Sequence, residues 1–357
     1  MRYKRALSAA GAAILLSTAL PTTASAAPGP LTIHEWSSQA LAPFSLAVDG
    51  TRVLVADGGT EVIGQLLPDG SIAPVIEGVP GLAGLATRGA WMAYGSSDID
   101  DATEPPVISA SGLNIRRPSG ETIYADLHAY EYSQNPDAGN VYGILDPTSC
   151  AAGMNHPGLL DSHAYAVASR QGEWLVADAG ANALFSVSDE GSIGVVAVLP
   201  PIPVTLTAEH VAMLGIGDCA IGDTYHAEPV PTGVAVGRGG AIYVSTLPGF
   251  PGESAGLGGV WRVDPATGDV TAVASGLAGA TSVAVSGSDL YVAQLFGAGV
   301  ARVSDGSTTL LAELLGSLSV AAAPNGTIWA ATMASEAGPG RVVSISNRKV
   351  KVQATLR

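Results

Sequence analysis

The chain is predicted to fold as an all-β, six-bladed β-propeller, with seven blades as the alternative count. Three observations predict it. A unit of short apolar strands recurs six times, small residues dominate the first strand of each unit, and 45 Gly and 23 Pro are spread evenly, as a protein of short strands and turns requires.

The clearest unit runs Pro231 to Val236, Ala241 to Ser245 and Gly259 to Val263, then turns at Asp264 to Gly268. The first copy reads Ser45 to Val48, Val53 to Asp57 and Gly64 to Leu67 before Pro68-Asp69-Gly70. Another reads His163 to Val167, Trp174 to Asp178 and Ala183 to Val187 before Asp189-Glu190-Gly191. Two later copies begin at Ser282 and Ser319, and a degenerate one begins at Gly84. Each unit codes a four-stranded antiparallel sheet, and one such sheet cannot bury both faces alone. Radial packing of neighbours solves that problem. Ala47, Ala235, Ala284 and Ala321 suit the crowded axis, whereas a β-sandwich gives no reason for six copies. The strand-like stretch Leu31 to Trp36 belongs to no complete unit. It is expected to pair in the last blade, beside or instead of Val350 to Leu356, and so to close the ring.

The N-terminus carries the parts of a secretory signal: Arg2, Lys4 and Arg5, an apolar run from Ala6 to Leu20, and Ala24-Ser25-Ala26 before a cleavage point at Ala27. The run is short for a bilayer span and Pro21 interrupts it. Residues 1–26 are therefore expected to be removed, residues 27–357 to form one propeller domain, and the product to be secreted without stable membrane insertion. Loss of the three signal residues leaves 13 basic against 31 acidic side chains, a net charge of −18. That charge repels phosphate backbones and argues against nucleic acid as a partner. A small molecule or a protein is the expected ligand, and the chain is expected to be a monomer.

Four connections are longer than the repeat needs: 96–110, 127–160, 200–230 and 247–257. In a blade, the second-to-third loop and the link to the next innermost strand share a face, so all four fall on one side, around the channel mouth. Long connections gathered in this way point to function. Cys150 and Cys219, the two cysteines, lie in two of them. In an exported protein such a pair is expected to form a disulfide. The rival reading joins the thiols to His156, His210 or His226 around a metal, although no ligand pair has the close spacing of a structural zinc site. Asp98, Asp100 and Asp101, with Glu104, are weak candidates for a divalent cation such as Ca2+, as is the stretch Asn135 to Asn140. They lack the spacing of an EF-hand loop.

Several stretches together resemble the ScyD/ScyE family of exported proteins: Tyr130-Glu131 through Asn135-Pro136-Asp137, Asp161 to Tyr165, Val176 to Asn182, and Val230 to Val236 running into Leu247-Pro248-Gly249-Phe250-Pro251. Tyr243 and Val263 to Gly268 follow in register, and the likeness extends from about Ile33 to Ile345. His163-Ala164 departs from the Asn-Pro typical of the family. The resemblance implies an exported propeller, in a family named for proteins linked to an extracellular indolic pigment.

Three functions fit this reading. The first is a ligand-binding or accessory protein acting at the channel mouth. The second is a metal-dependent propeller enzyme, a lactonase, lyase or oxidative coupling catalyst. The third is a cell-surface interaction module. A lactonase-like site needs acidic and amide side chains on innermost strands, but Ser45, Gly84, Thr232 and Ser319 stand there. A lyase-like site needs histidines from several blades, and His163 stands alone. The expected ligand residues are Asp57, Asp161, His163, Asp178, Thr232 and Gln294, polar groups at strand ends that a ring would bring together. The competing expectation is that such groups satisfy backbone amides in turns.

Overall fold

The computed structural model describes residues 32–100, 102, 107–253, 256–335 and 338–346. Six four-stranded antiparallel sheets form the blades. Their innermost strands are Pro43–Asp49, Leu85–Arg88, Ala164–Arg170, Pro231–Val236, Ala280–Ser286 and Ser317–Ala322, taken as blades 1 to 6. Each innermost strand packs on the next, and Ser317–Ala322 returns to Pro43–Asp49, so the ring closes after six.

Burial explains why the second strands read as unbroken apolar runs. In Arg52–Asp57, Val53 and Val55 pack toward blade 6 while Leu54 and Ala56 pack toward blade 2. In Glu173–Asp178, Trp174 and Val176 meet blade 2, and Leu175 and Ala177 meet blade 4. Alternation persists as pleat geometry, but both faces are covered, so no polar residue marks an outside. Each interface between neighbouring blades has its own buried apolar cluster.

Hydroxyls near the axis stitch these interfaces. Ser45 Oγ donates to Leu85 O at 3.3 Å and accepts from Leu85 N at 3.2 Å, and Ser282 repeats this arrangement on Val320 at 3.4 and 3.3 Å. Ser319 Oγ donates to Pro43 O at 2.7 Å across the closing joint. Farther out, Arg88 holds Asp189 of blade 3 through two hydrogen bonds of 2.6 and 2.7 Å, and its guanidinium lies 4.6 Å from the Trp174 ring centroid.

Thr32–Ser37 completes blade 6 as its outermost strand, antiparallel to Arg341–Ser346. Trp36 donates to Ser344 Oγ at 2.9 Å and stacks near Trp329 at 5.2 Å. The N-terminal side of the chain thus supplies a closing strand. Val350 to Leu356 lie outside the described residues.

A seventh sheet stands apart from the ring. Its order is Asn155–Pro157, Val141–Ile144, Thr224–Ala227, Ile202–Thr205, so strands from two insertions pair with one another. One helix, α2 (Ala208–Leu214), belongs to it, whereas α1 (Leu127–Gln134) packs on blade 2 with Leu127 in the core between blades 2 and 3. This accessory lobe has a core of its own around Ile144, Val204, Val211 and Tyr225, against which Phe250 and Leu257 pack from blade 4. Cys150 and Cys219 are disulfide-bonded within it. Residues 96–100 and 107–110, expected as loop, instead extend blade 2: Trp91–Asp100 and Val107–Arg116 stay paired from Ser96↔Gly112 to Asp100↔Val107. The buried contact from Ser97 Oγ to Ser111 Oγ, 3.1 Å, and the 2.8 Å bond from Asn114 Nδ2 to Ser96 Oγ satisfy its polar side chains.

Removing Thr32–Ser37 should strip blade 6 of its outer strand and uncover Trp329. We expect a loss of about 3 kcal/mol, or roughly 5 °C in Tm, by thermal unfolding of a chain beginning at residue 38. An unchanged Tm would show that the joint is closed by other residues.

Candidate ligand site at the channel mouth

The polar residues expected to gather at the mouth divide into two groups by what their side chains already hold. Asp57 ends the second strand of blade 1 and is buried. Its carboxylate accepts from Leu41 N and Ala42 N at 2.8 Å each and from Gly59 N at 3.0 Å. Asp178 does the same in blade 3, accepting from His163 N at 2.7 Å, Ala181 N at 3.0 Å, Gly180 N at 3.1 Å and Ser162 Oγ at 2.7 Å. Each carboxylate thus ties its own turn to the segment entering the innermost strand. Gln294 acts likewise in blade 5, accepting from Ala278 N at 3.0 Å and donating to Gly299 O at 3.4 Å. Thr232 is buried and donates to Ala280 O of blade 5 at 2.6 Å. These four side chains hold loops and blades in place.

His163 and Asp161 form the second group. The His163 backbone is fixed by Asp178, while its ring sits edge-on to Tyr165 at 5.6 Å. Burial holds the imidazole below its ordinary pKa, with Asp161 opposing that shift, so the ring is neutral at pH 7. Asp161 is half-buried at the entry to the same strand.

Two aromatic residues that the sequence reading did not select complete the mouth. Phe44 and Tyr165 come from the innermost strands of blades 1 and 3, with blade 2 between them, yet their rings meet at 5.7 Å. They therefore meet over the entry to blade 2, where Ala83 packs with them. Ala83, Ala179 and Val230 pack with them into an apolar plug. Gly58 is required beside it, because a Cβ there would strike the Phe44 ring and Leu82 O. Tyr165 and His163 are buried and Phe44 is half-buried, so the arrangement is an apolar, aromatic floor with one neutral imidazole at its edge and one ring edge reaching the surface.

A polar network fastens the accessory lobe beside this floor. Asp137 accepts from Tyr142 Oη at 3.0 Å and from Asn182 Nδ2 at 2.9 Å, and Asn182 Oδ1 accepts from Val230 N at 3.1 Å. Asn182 directly follows the turn that Asp178 holds, so that carboxylate supports the lobe indirectly. Asp98 is exposed, Asp100 accepts from Ala102 N at 2.9 Å, and Asp101 and Glu104 lie outside the described residues. Among the described residues, no group of three or more His, Cys, Asp or Glu side chains is placed to hold a metal ion. Both cysteines are taken by the disulfide, which removes them from the alternative metal reading.

No family model matches the chain, and no curated protein does. Solved structures do resemble it. An oxidoreductase described as a glucose dehydrogenase, from Thermus thermophilus, aligns with 16% identity over 89% of this chain and 100% of its own, with a TM-score of 0.52. The PQQ-bound aldose sugar dehydrogenase of Streptomyces coelicolor aligns with 13% identity over 90% of this chain and 99% of its own, also at 0.52. A protein described as a gluconolactonase aligns with 11% identity over 89% and 92%, at 0.51. At these identities the likeness shows the fold: the chain is a β-propeller of the kind these proteins share. Among the described residues, no helix is long and apolar enough to cross a membrane.

Burial pushes the Asp178 carboxyl up to about 6 from 3.8, against the pull of its hydrogen bonds from Ala181, His163 and Ser162. A carboxyl whose folded pKa is raised is more protonated in the folded than in the unfolded chain between those values. Its contribution to stability therefore grows as pH falls from about 7 toward 4, by at most about 3 kcal/mol. Asp178→Asn should remove this component, which urea unfolding at both pH values measures. Asp178→Ala, which strands three amides and a hydroxyl, should cost about 3 kcal/mol at pH 7.

Proposed function

We propose that this chain is an exported binding or accessory protein, similar to the ScyD/ScyE family, that holds a small aromatic or apolar molecule at the lobed face of its channel. The observation that carries this reading is the meeting of Phe44 and Tyr165 over blade 2 with His163 beside them. The strand-end carboxylates support it indirectly, since Asp57 and Asp178 are occupied by backbone amides. The family it resembles is named for proteins linked to an indolic pigment, and a flat indole ring fits such a floor. The signal-like N-terminus and the disulfide support secretion. The acidic charge supports a partner other than nucleic acid. We expect the protein to act as a monomer.

A second reading is favoured by the enzymes among its structural neighbours, a sugar dehydrogenase and a gluconolactonase. On that reading the lobed face would carry a cation-dependent reaction on a small cyclic substrate, with Asp161 and His163 as the groups nearest to it. Assaying lactone hydrolysis with and without added Ca2+ separates the two.

Indole serves as the probe for the first reading. We expect binding by ligand-observed NMR to weaken about ten-fold in His163→Ala and in Tyr165→Ala, while both variants unfold cooperatively. Equal binding by these variants would move the ligand elsewhere.

A further inference from the structure

The accessory lobe is not used to close the ring, and its surface differs in chemistry from the rest. Seven of the fifteen exposed large hydrophobic side chains among the described residues lie in the two insertions that build it. Three of them, Leu145, Met213 and Ile221, are 43%, 51% and 47% exposed. They lie in the two segments that the disulfide joins. Leu145 leads into the turn at Asp146 that ends near Cys150, and Ile221 follows the short helix Asp218–Ala220 containing Cys219, against which α2, with Met213, packs.

The charge around these side chains has one sign. Asp146, Glu209 and Asp218 are exposed there. Hydrogen bonds from the Thr148 hydroxyl and amide, 2.7 and 2.8 Å, hold the Asp146 carboxyl below its ordinary pKa, so it stays ionised at neutral pH. Arg170, in blade 3, is the single Lys or Arg between Arg117 and Arg238, so neither insertion carries a fixed cation.

We propose that the lobe tip, Leu145, Met213 and Ile221 rimmed by Asp146, Glu209 and Asp218, is a docking surface for a protein segment in which Lys or Arg alternates with apolar side chains. Apolar contact would supply affinity, while the carboxylates select positive charge and reject acidic partners. The disulfide presents the surface already ordered, which lowers the entropic cost of docking. The site is distinct from the channel mouth, and its occupancy does not depend on what His163 and Tyr165 hold.

The test measures fluorescence anisotropy of three short labelled peptides with the intact protein: alternating Lys-Val, Lys-Ser of equal charge, and Glu-Val. The proposal expects Lys-Val to bind most tightly, more weakly as salt rises, and Glu-Val not to bind. Reversing charge in Asp146→Lys with Asp218→Lys should weaken Lys-Val binding by about ten-fold or more, and Leu145→Ser with Met213→Ser by a similar factor. The control, Asp69→Lys with Asp264→Lys in turns of the opposite face, should leave it unchanged. All six positions are exposed, and a cooperative melting transition is required of each variant before its binding is compared. Equal loss in lobe and control variants, equal binding of Lys-Ser, or no binding of Lys-Val would each overturn the proposal.

Discussion

Everything in this molecule depends on sheets that are apolar on both faces. A strand such as Arg52–Asp57 has Val53 and Val55 on one side and Leu54 and Ala56 on the other, and all four are buried. Such a sheet needs a neighbour on each side, and a closed ring is the arrangement in which every blade has two. Closure then demands close approach near the axis. A Cβ on Gly95 would meet Ala164 O of blade 3, and one on Gly233 would meet Ser282 of blade 5. It also demands a joint, which Thr32–Ser37 supplies by pairing with Arg341–Ser346. The Ser and Thr hydroxyls near the axis follow from the same constraint, since backbone groups there need partners that small side chains from the next blade can provide.

A ring held in this way supports two features on its lobed face. One is the aromatic cluster, where Phe44 and Tyr165 meet from the innermost strands of non-adjacent blades. The other is the lobe, which borrows support from the ring through Asp137, Asn182 and Val230 but keeps its own core. Asp178 links the two, since its carboxylate fixes both the entry to His163 and the turn leading to Asn182.

The fold was legible because the apolar pattern repeats, and repetition is visible without knowing any contact. The disulfide was legible from two isolated cysteines in a chain whose N-terminus reads as a secretory signal. The site was less so. Asp57, Asp178 and Gln294 read alike whether they bind a ligand or hold a turn, because both tasks need an oxygen at a strand end; their backbone partners lie up to 16 residues away. Phe44 and Tyr165 look like ordinary strand residues, and nothing local announces that they meet. The lobe sheet escaped notice for a related reason: its strands are three or four residues long and pair across the whole of blade 3. The extension of blade 2 by residues 96–100 and 107–110 was hidden by the Ser and Asp content of Ser96 to Asp100, which reads as loop.

The central claim is that six blades close the ring and the seventh sheet lies outside it. Hydrogen exchange of the oxidised protein against the Cys150→Ser, Cys219→Ser variant tests this directly. The disulfide closes a loop of 69 residues, worth about 4 kcal/mol to the lobe in the chain-entropy view. The account predicts faster exchange at 141–157 and 202–227 and unchanged protection in the six blades. Loss of protection at the interface of blades 3 and 4, around Leu175 and Val244, to the same degree as in the lobe would show that the seventh sheet is part of the ring and contradict the account.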